Sequence, residues 1–470
     1  VGVTLASNTI TSRIESFIRN ADTGITTTVG DIVLDADEKA TIDVVAAAAS
    51  VALAGGLVGV ALSGAGAQAT NIILSSTSSF VDTSKLLSFD DVIITADNKS
   101  TIDAVIATAS VAAAGGAVGV GASIGVALAR NYIGMVEDAA TTYDYTTADQ
   151  PGTIDKGRRV KILGGVRGGD VYEYISTEPL LESDFENDER EASWLIEHDY
   201  SDRDHWKQVN LELAGSPIMA YIRNSEVVAV GEITIQSVSD QSIHANTLSG
   251  SVAIAGGAIG VALAGAGVSA ENQIAAVVKA FIEGSAGDGV LSGGNITIFA
   301  DDTSVIESET LAVSVAASFG AIGASVAISV SVAYNTIANS VNAYVAGATI
   351  QSDGEIMTVE SQEEAVIDSS ATATAVSASF SIGVSLAGGG AVTGTTLNTE
   401  TRSWIDESTI HLTNDLLVHA MSNSVATPVV RATAASFGLI AAAVAGTVSS
   451  VEVAPVLEAF INASVVTADD

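Results

Sequence analysis

The feature that most constrains this chain is a cluster of a small residue, an aromatic and an aliphatic that recurs seven times. The copies are Ser16-Phe17-Ile18, Ser79-Phe80-Val81, Ala220-Tyr221-Ile222, Ala280-Phe281-Ile282, Ala343-Tyr344-Val345, Ser403-Trp404-Ile405 and Ala459-Phe460-Ile461. Their aromatics lie 63, 141, 60, 63, 60 and 56 residues apart, so one period of about 60 explains every interval if roughly 80 residues are inserted between the second and third copies. A unit of that size does not bury its apolar face alone, and neighbouring units must stack into a shared core. Length therefore counts repeats more than globular domains.

Within a unit, a short β-branched segment follows a turn, as in Gly294-Asn295-Ile296-Thr297-Ile298 and Gly354-Glu355-Ile356-Met357-Thr358-Val359. A long Ala/Gly/Ser/Val stretch comes next, for example residues 251–270. A buried helix is the alternative there, because alanine favours helix, but each interior glycine costs a helix roughly 1 kcal/mol. Val326, Ile328, Val330, Val332 and Tyr334 alternate with smaller residues, which is the strand period. Doubled glycines such as Gly115-Gly116 and Gly256-Gly257 mark a bend or bulge. These uncharged stretches also resemble membrane segments, yet they are only moderately hydrophobic and lack flanking Lys/Arg clusters. The reading does not favour membrane contact, without excluding it, and expects the stretch to be buried on both faces. Asn8, Asn71, Asn272 and Asn335 each precede an aromatic by nine residues, and are expected to bond side chain to backbone at a recurring corner.

With 55 acidic against 18 basic residues, the formal charge is -37, which repels nucleic acid and favours loosely held divalent cations. Zero cysteine excludes disulfides and thiolate metal sites. No signal peptide opens the chain, and both ends read as cuts through a longer array.

Residues 138–217 break the repeat and hold eight of the 18 basic residues, two of the three Trp, five of the nine Tyr and two of the five His. They read as a small β-rich module between two parts of the array, 1–137 and 218–470. In the run from His198 to Trp206, Asp199, Asp202 and Asp204 are the candidate metal ligands, with calcium the cation, although an EF-hand's glycine and distal glutamate are missing. An ordinary polar turn is the competing reading. Lys156-Gly157-Arg158-Arg159-Val160-Lys161 is either a solvated loop or a dock for an acidic surface. No nucleotide loop, zinc motif or nucleophile elbow occurs, so no catalytic residue and no definite cofactor are assigned.

The phrases Val332-Ala333-Tyr334-Asn335-Thr336-Ile337, Val341-Asn342-Ala343-Tyr344-Val345 and Gly354-Glu355-Ile356 resemble the repetitive regions of giant bacterial surface and secreted proteins, the filamentous adhesin-like exoproteins. That resemblance implies a mainly β, elongated β-solenoid rod and roles in adhesion, surface coating or filament formation. The expected function is thus an extracellular structural repeat protein that self-associates into a fibre or layer, stiffened by calcium. The alternatives are an adhesin whose module at 138–217 binds a surface or glycan receptor, and a passive stalk of a larger exoprotein.

Overall fold

The computed structural model describes residues 1–134, 143–163, 171–181, 195, 200, 205–208 and 215–468, and every regular element among them is a β-strand. The helical alternative for the Ala/Gly-rich stretches is therefore set aside. Twenty strands form one main sheet system in which neighbouring repeats pair in parallel. Each repeat sends a strand out, reverses it near a glycine and brings it back. Ile32–Ala54 goes out and Val58–Asp82 returns; Val92–Gly115 goes out and Val118–Ile133 returns. In Ile233–Ile274 and Ile296–Ile337 both arms belong to one continuous element, with Gly257 and Gly320 at positive φ where the arms meet.

Backbone ladders connect repeat to repeat, whereas outgoing and returning arms face each other through side chains. Across that interior Ser123 bonds Ser110 at 2.9 Å and Ser331 bonds Thr310 at 2.8 Å. Burial alternates residue by residue, without interruption from Ile32 to Ala48 in the first outgoing arm. This follows from the pleat, which sends successive side chains to opposite faces.

The recurring aromatics are register partners, from Phe17 to Phe80, Tyr221, Phe281, Tyr344, Trp404 and Phe460. From Phe17 to Trp404 their rings stack with centroids 4.4–5.2 Å apart, and Trp404 to Phe460 measures 6.1 Å. Ala280 and Ile282 enter the large aliphatic core, so Phe281 between them lies on the opposite face of its strand, in a separate aromatic cluster. The inserted segment costs the ladder no register. Gly134 and Gly215, both at positive φ, flank it at one point, and Ile133 and Ser216 bond the two sides of Ala275. A Cβ on Gly134 would fall 1.9 Å from the Ala275 carbonyl oxygen, so only glycine fits there.

The elongated rod is corrected by this architecture: the chain is one compact domain with a nearly closed, barrel-like parallel-β wall around its main core. The reason lies in how each unit spends its residues. Seven layers spaced ~4.8 Å apart make a stack roughly 29 Å high, whereas an outgoing arm of 24 residues from Ile233 to Gly256 runs roughly 76 Å. The molecule grows along its strands more than along its stack. With the rod go the adhesin-like resemblance, the fibre, coat and stalk roles, the rod-borne receptor module, self-association and calcium stiffening. Nothing in the fold supports the secreted, cell-surface, filament and calcium descriptions that rested on it.

The described part of the inserted segment forms its own small sheets. Arg159–Lys161, Val171–Tyr174 and Trp206–Gln208 pair antiparallel, around a cluster of Tyr172, Tyr174, Leu195, Tyr200 and Trp206. Arg158 reaches Asp144 at 2.7 Å and Arg159 reaches Glu173 at 3.0 Å. These two arginines of the basic run are thus paired inside the segment.

Candidate functional site: an apolar blade

The slab formed by the two arms divides into a body and a blade. In the body, Ile, Val and Leu point inward, among them Ile222, Ile235, Ile282, Ile298 and Val345. In the blade, beyond that core, most inward residues are small: Ala253, Ala255, Ala262, Ala264, Ala316 and Ala327 form one cluster, and Val44, Ile106 and Val268 near the collars are the larger inward side chains. Serines fill other inward positions and bond across the gap, as in the Ser325, Ser377 and Ser385 triangle with distances of 2.8–3.2 Å. Small side chains let the two sheets approach closely. A Cβ on Gly121 would fall 2.7 Å from the Ile254 carbonyl oxygen, and one on Gly119 2.6 Å from that of Gly256.

The large apolar side chains of the blade are on its outside. Leu53 is 77% exposed, Leu57 84%, Ile124 59%, Ile328 53% and Phe380 64%. One face of each arm is covered as expected, whereas the second layer expected as one cover for the other face is not supplied by the described residues of this chain. The layout inverts the usual preference for large hydrophobes inside, and a contiguous exposed apolar surface of this kind marks an interaction site.

Polar residues bound this surface at constant height. Asp43, Asp103, His244 and Glu307 stack as register partners on the outgoing arms, each 13 residues before the positive-φ glycine at 56, 116, 257 or 320. Thr70, Arg130, Glu271 and Tyr334 stack on the returning arms, each 14 residues after it. Between these collars the four layers carry one charged residue, Glu309. The apolar span from collar to tip is thus about 43 Å. The collars are tied together: His244 lies 3.0 Å from Asp103, Arg130 3.7 Å from Glu271, and the Tyr132 hydroxyl donates to Glu271 at 2.7 Å. A cavity of about 410 Å³ opens beside Glu271, Gln273, Tyr334 and Thr336.

Two polar ladders run inside. Asn8, Asn71, Asn131, Asn272 and Asn335 pass amide hydrogen bonds of 2.7–2.8 Å from layer to layer, and Asn335 ends on Ser369. The expected corner asparagines thus bond one another instead of backbone, and Asn131 joins them. At the seam between body and blade, Asp302 is fully buried, accepts from Asn339 at 2.6 Å and from Ser304, and is the register partner of inward Glu363. Burial pushes Asp302 up to about 7 against the lowering effect of Ser239, Ser304 and Asn339, and it raises Glu363 as well.

Comparison with family models, curated proteins and solved structures finds no match. Asp199, Asp202 and Asp204 lie outside the described residues. Asp31, Asp90 and Asp91 bring carboxylate oxygens within 4.8 Å of one another at a turn, where Asp31 accepts from the Asp91 amide and Asp91 from that of Glu232. Backbone donors thus hold two of these three carboxylates. No helix among the described residues is long and apolar enough to cross a membrane, which leaves strands unaddressed.

Proposed function

We propose that this chain is a binding domain rather than an enzyme, and that it works by laying the outer faces of its blade against lipid. One observation carries the reading: over the same ladder that holds the body together, the blade places mostly alanine and serine inside and most of its leucine, isoleucine, valine and phenylalanine outside. Exposed apolar area of this kind costs about 25 cal/mol per Å² in water and is recovered only against another apolar phase. The span, with Glu309 its one charge over four layers, and its polar collars favour acyl chains over a protein partner, whose surface would offer polar groups to match. Contact falls on the faces, because the first and last layers carry unpaired backbone groups that hydrocarbon does not satisfy.

Nile red, a neutral dye that brightens in apolar surroundings, tests this reading on the folded protein. A blue-shifted response is expected, and it should fall in the double variant Ile124→Glu with Ile328→Glu while circular dichroism stays unchanged. A dark, folded wild type would refute the reading.

A further inference from the structure

The returning face of the blade is corrugated. Along the stack, Gly64, Ile124, Gly265, Ile328 and Gly388 are register partners, and so are Gly66, Val126, Gly267, Val330 and Gly390. Ile124 with Val126 and Ile328 with Val330 stand as two ridges, two ladder spacings or ~9.6 Å apart, over a floor of Gly265 and Gly267. The floor is open, since a Cβ on Gly265 would meet only Ile124 at 4.0 Å and one on Gly267 only Val126 at 4.0 Å. Ser269 continues the floor toward the collar, and the 410 Å³ cavity lies two residues further on, at Glu271 and Tyr334. Tyr334 leans away over the next layer, where a Cβ on Gly394 would fall 2.6 Å from its ring. Toward the tip the groove steps sideways to Ala122, between Leu62 and Leu263.

We infer that this groove is a binding site for one single-chain amphiphile with a phosphocholine-like head. This rests on the lipid-contacting reading and names its ligand. The polymethylene chain lies between the two ridges, on glycines whose missing side chains make the channel. The ammonium sits at Glu271, whose carboxylate suits a quaternary cation, in the cavity that Tyr334 also lines. Arg130, 3.7 Å from Glu271 and more than half exposed, is placed to meet the phosphate. A purely anionic head would face Glu271 and the net charge of -37.

Titration calorimetry with dodecylphosphocholine below its micelle concentration tests the site, with dodecyl sulfate and dodecyl maltoside as head-group controls. The account expects one site that prefers the phosphocholine head, and a loss of at least tenfold in affinity in the groove-filling variant Gly265→Val with Gly267→Val. A Cβ at either position clears its nearest neighbour by 4.0 Å, so the variant should fold like the wild type, as circular dichroism would show. Undiminished binding in the filled variant, or equal binding of all three heads, would overturn the site while Nile red binding to the outer faces survives. Failure of every amphiphile together with a dark dye assay would overturn the lipid reading itself.

Discussion

Body and blade share one backbone plan, one parallel ladder and one alternation of faces, yet their side chains are arranged in opposite ways. Around Ile222, Ile282 and Val345 the large residues are inside; around Ala253, Ala264 and Ala327 the small ones are. The difference shows that ladder hydrogen bonds hold a layer in place whatever its side chains, while side-chain size sets how far apart the two sheets stand. An inward alanine contributes roughly one methyl of burial, on the order of 0.8 kcal/mol, where a buried isoleucine contributes up to about 3 kcal/mol. The body therefore supplies most of the packing energy, and the blade leaves much of its apolar area exposed.

The largest effect should come from the body. Phe281, fully buried and stacked between Tyr221 and Tyr344, should cost about 3–5 kcal/mol when changed to Ala. Urea unfolding followed by circular dichroism would measure it, and a cost below 1 kcal/mol would mean that the aromatic stack adds little to the packing of the layers.

At the seam, Asp302 links stability to pH. Its folded pKa of about 7 lies above its ordinary 3.8, so the folded form binds a proton that the unfolded chain has released. This contribution is fully present below about pH 4 and is lost as pH rises through 7, up to about 4 kcal/mol before relaxation. Glu363, its register partner, is shifted in the same direction. Asp302→Asn should stabilise the protein at pH 8 and flatten the fall between pH 4 and 7 in thermal melts. An unchanged slope would show that Asp302 is not the buried proton acceptor.

Blade packing should be less costly to disturb, and more local. Gly121→Val drives a side chain toward the Ile254 carbonyl and should cost about 1–3 kcal/mol, read as faster hydrogen exchange in residues 104–128 with the body still protected. Protection that stays unchanged would mean the two sheets are not in close contact. The smallest effect belongs to the outer face: Leu263→Asp should stay within about 0.5 kcal/mol, since its side chain points to solvent. Ala264→Asp, one residue along and inward, should unfold the blade by burying an unpaired charge. Equal effects of the two would erase the distinction between inside and outside.

Some of this arrangement is legible in the sequence. The aromatic spacing anticipates a register in which like residues stack, and the alternation from Val326 to Tyr334 identifies strands despite their alanine content. Asn131 escapes the same counting because the inserted segment puts its aromatic, Tyr221, 90 residues away instead of nine. Other features are hidden for physical reasons. A period of about 60 residues does not say whether a unit makes a small coil in a tall stack or two long arms in a short one, and the rod expectation took the first course. Nor does alternation alone say which set of side chains faces inward. Hydrophobicity would place Ile328 and Val330 inside, but the inward positions beside them are taken by Ala327, Ser329 and Ser331. The signal available was glycine: Gly119 and Gly121 recur on the inward phase of their strand, where only a close neighbouring backbone requires them.

The central claim is that the blade's outer faces are the lipid contact and the body is not. Because the chain has no cysteine, single Val330→Cys, Leu263→Cys and Gln351→Cys variants can each carry one bimane label without background. Emission from the two blade positions should shift to the blue when phosphatidylcholine vesicles are added, while the label at body residue 351 should not respond. No shift at residues 263 and 330, or an equal shift at 351, would contradict the account.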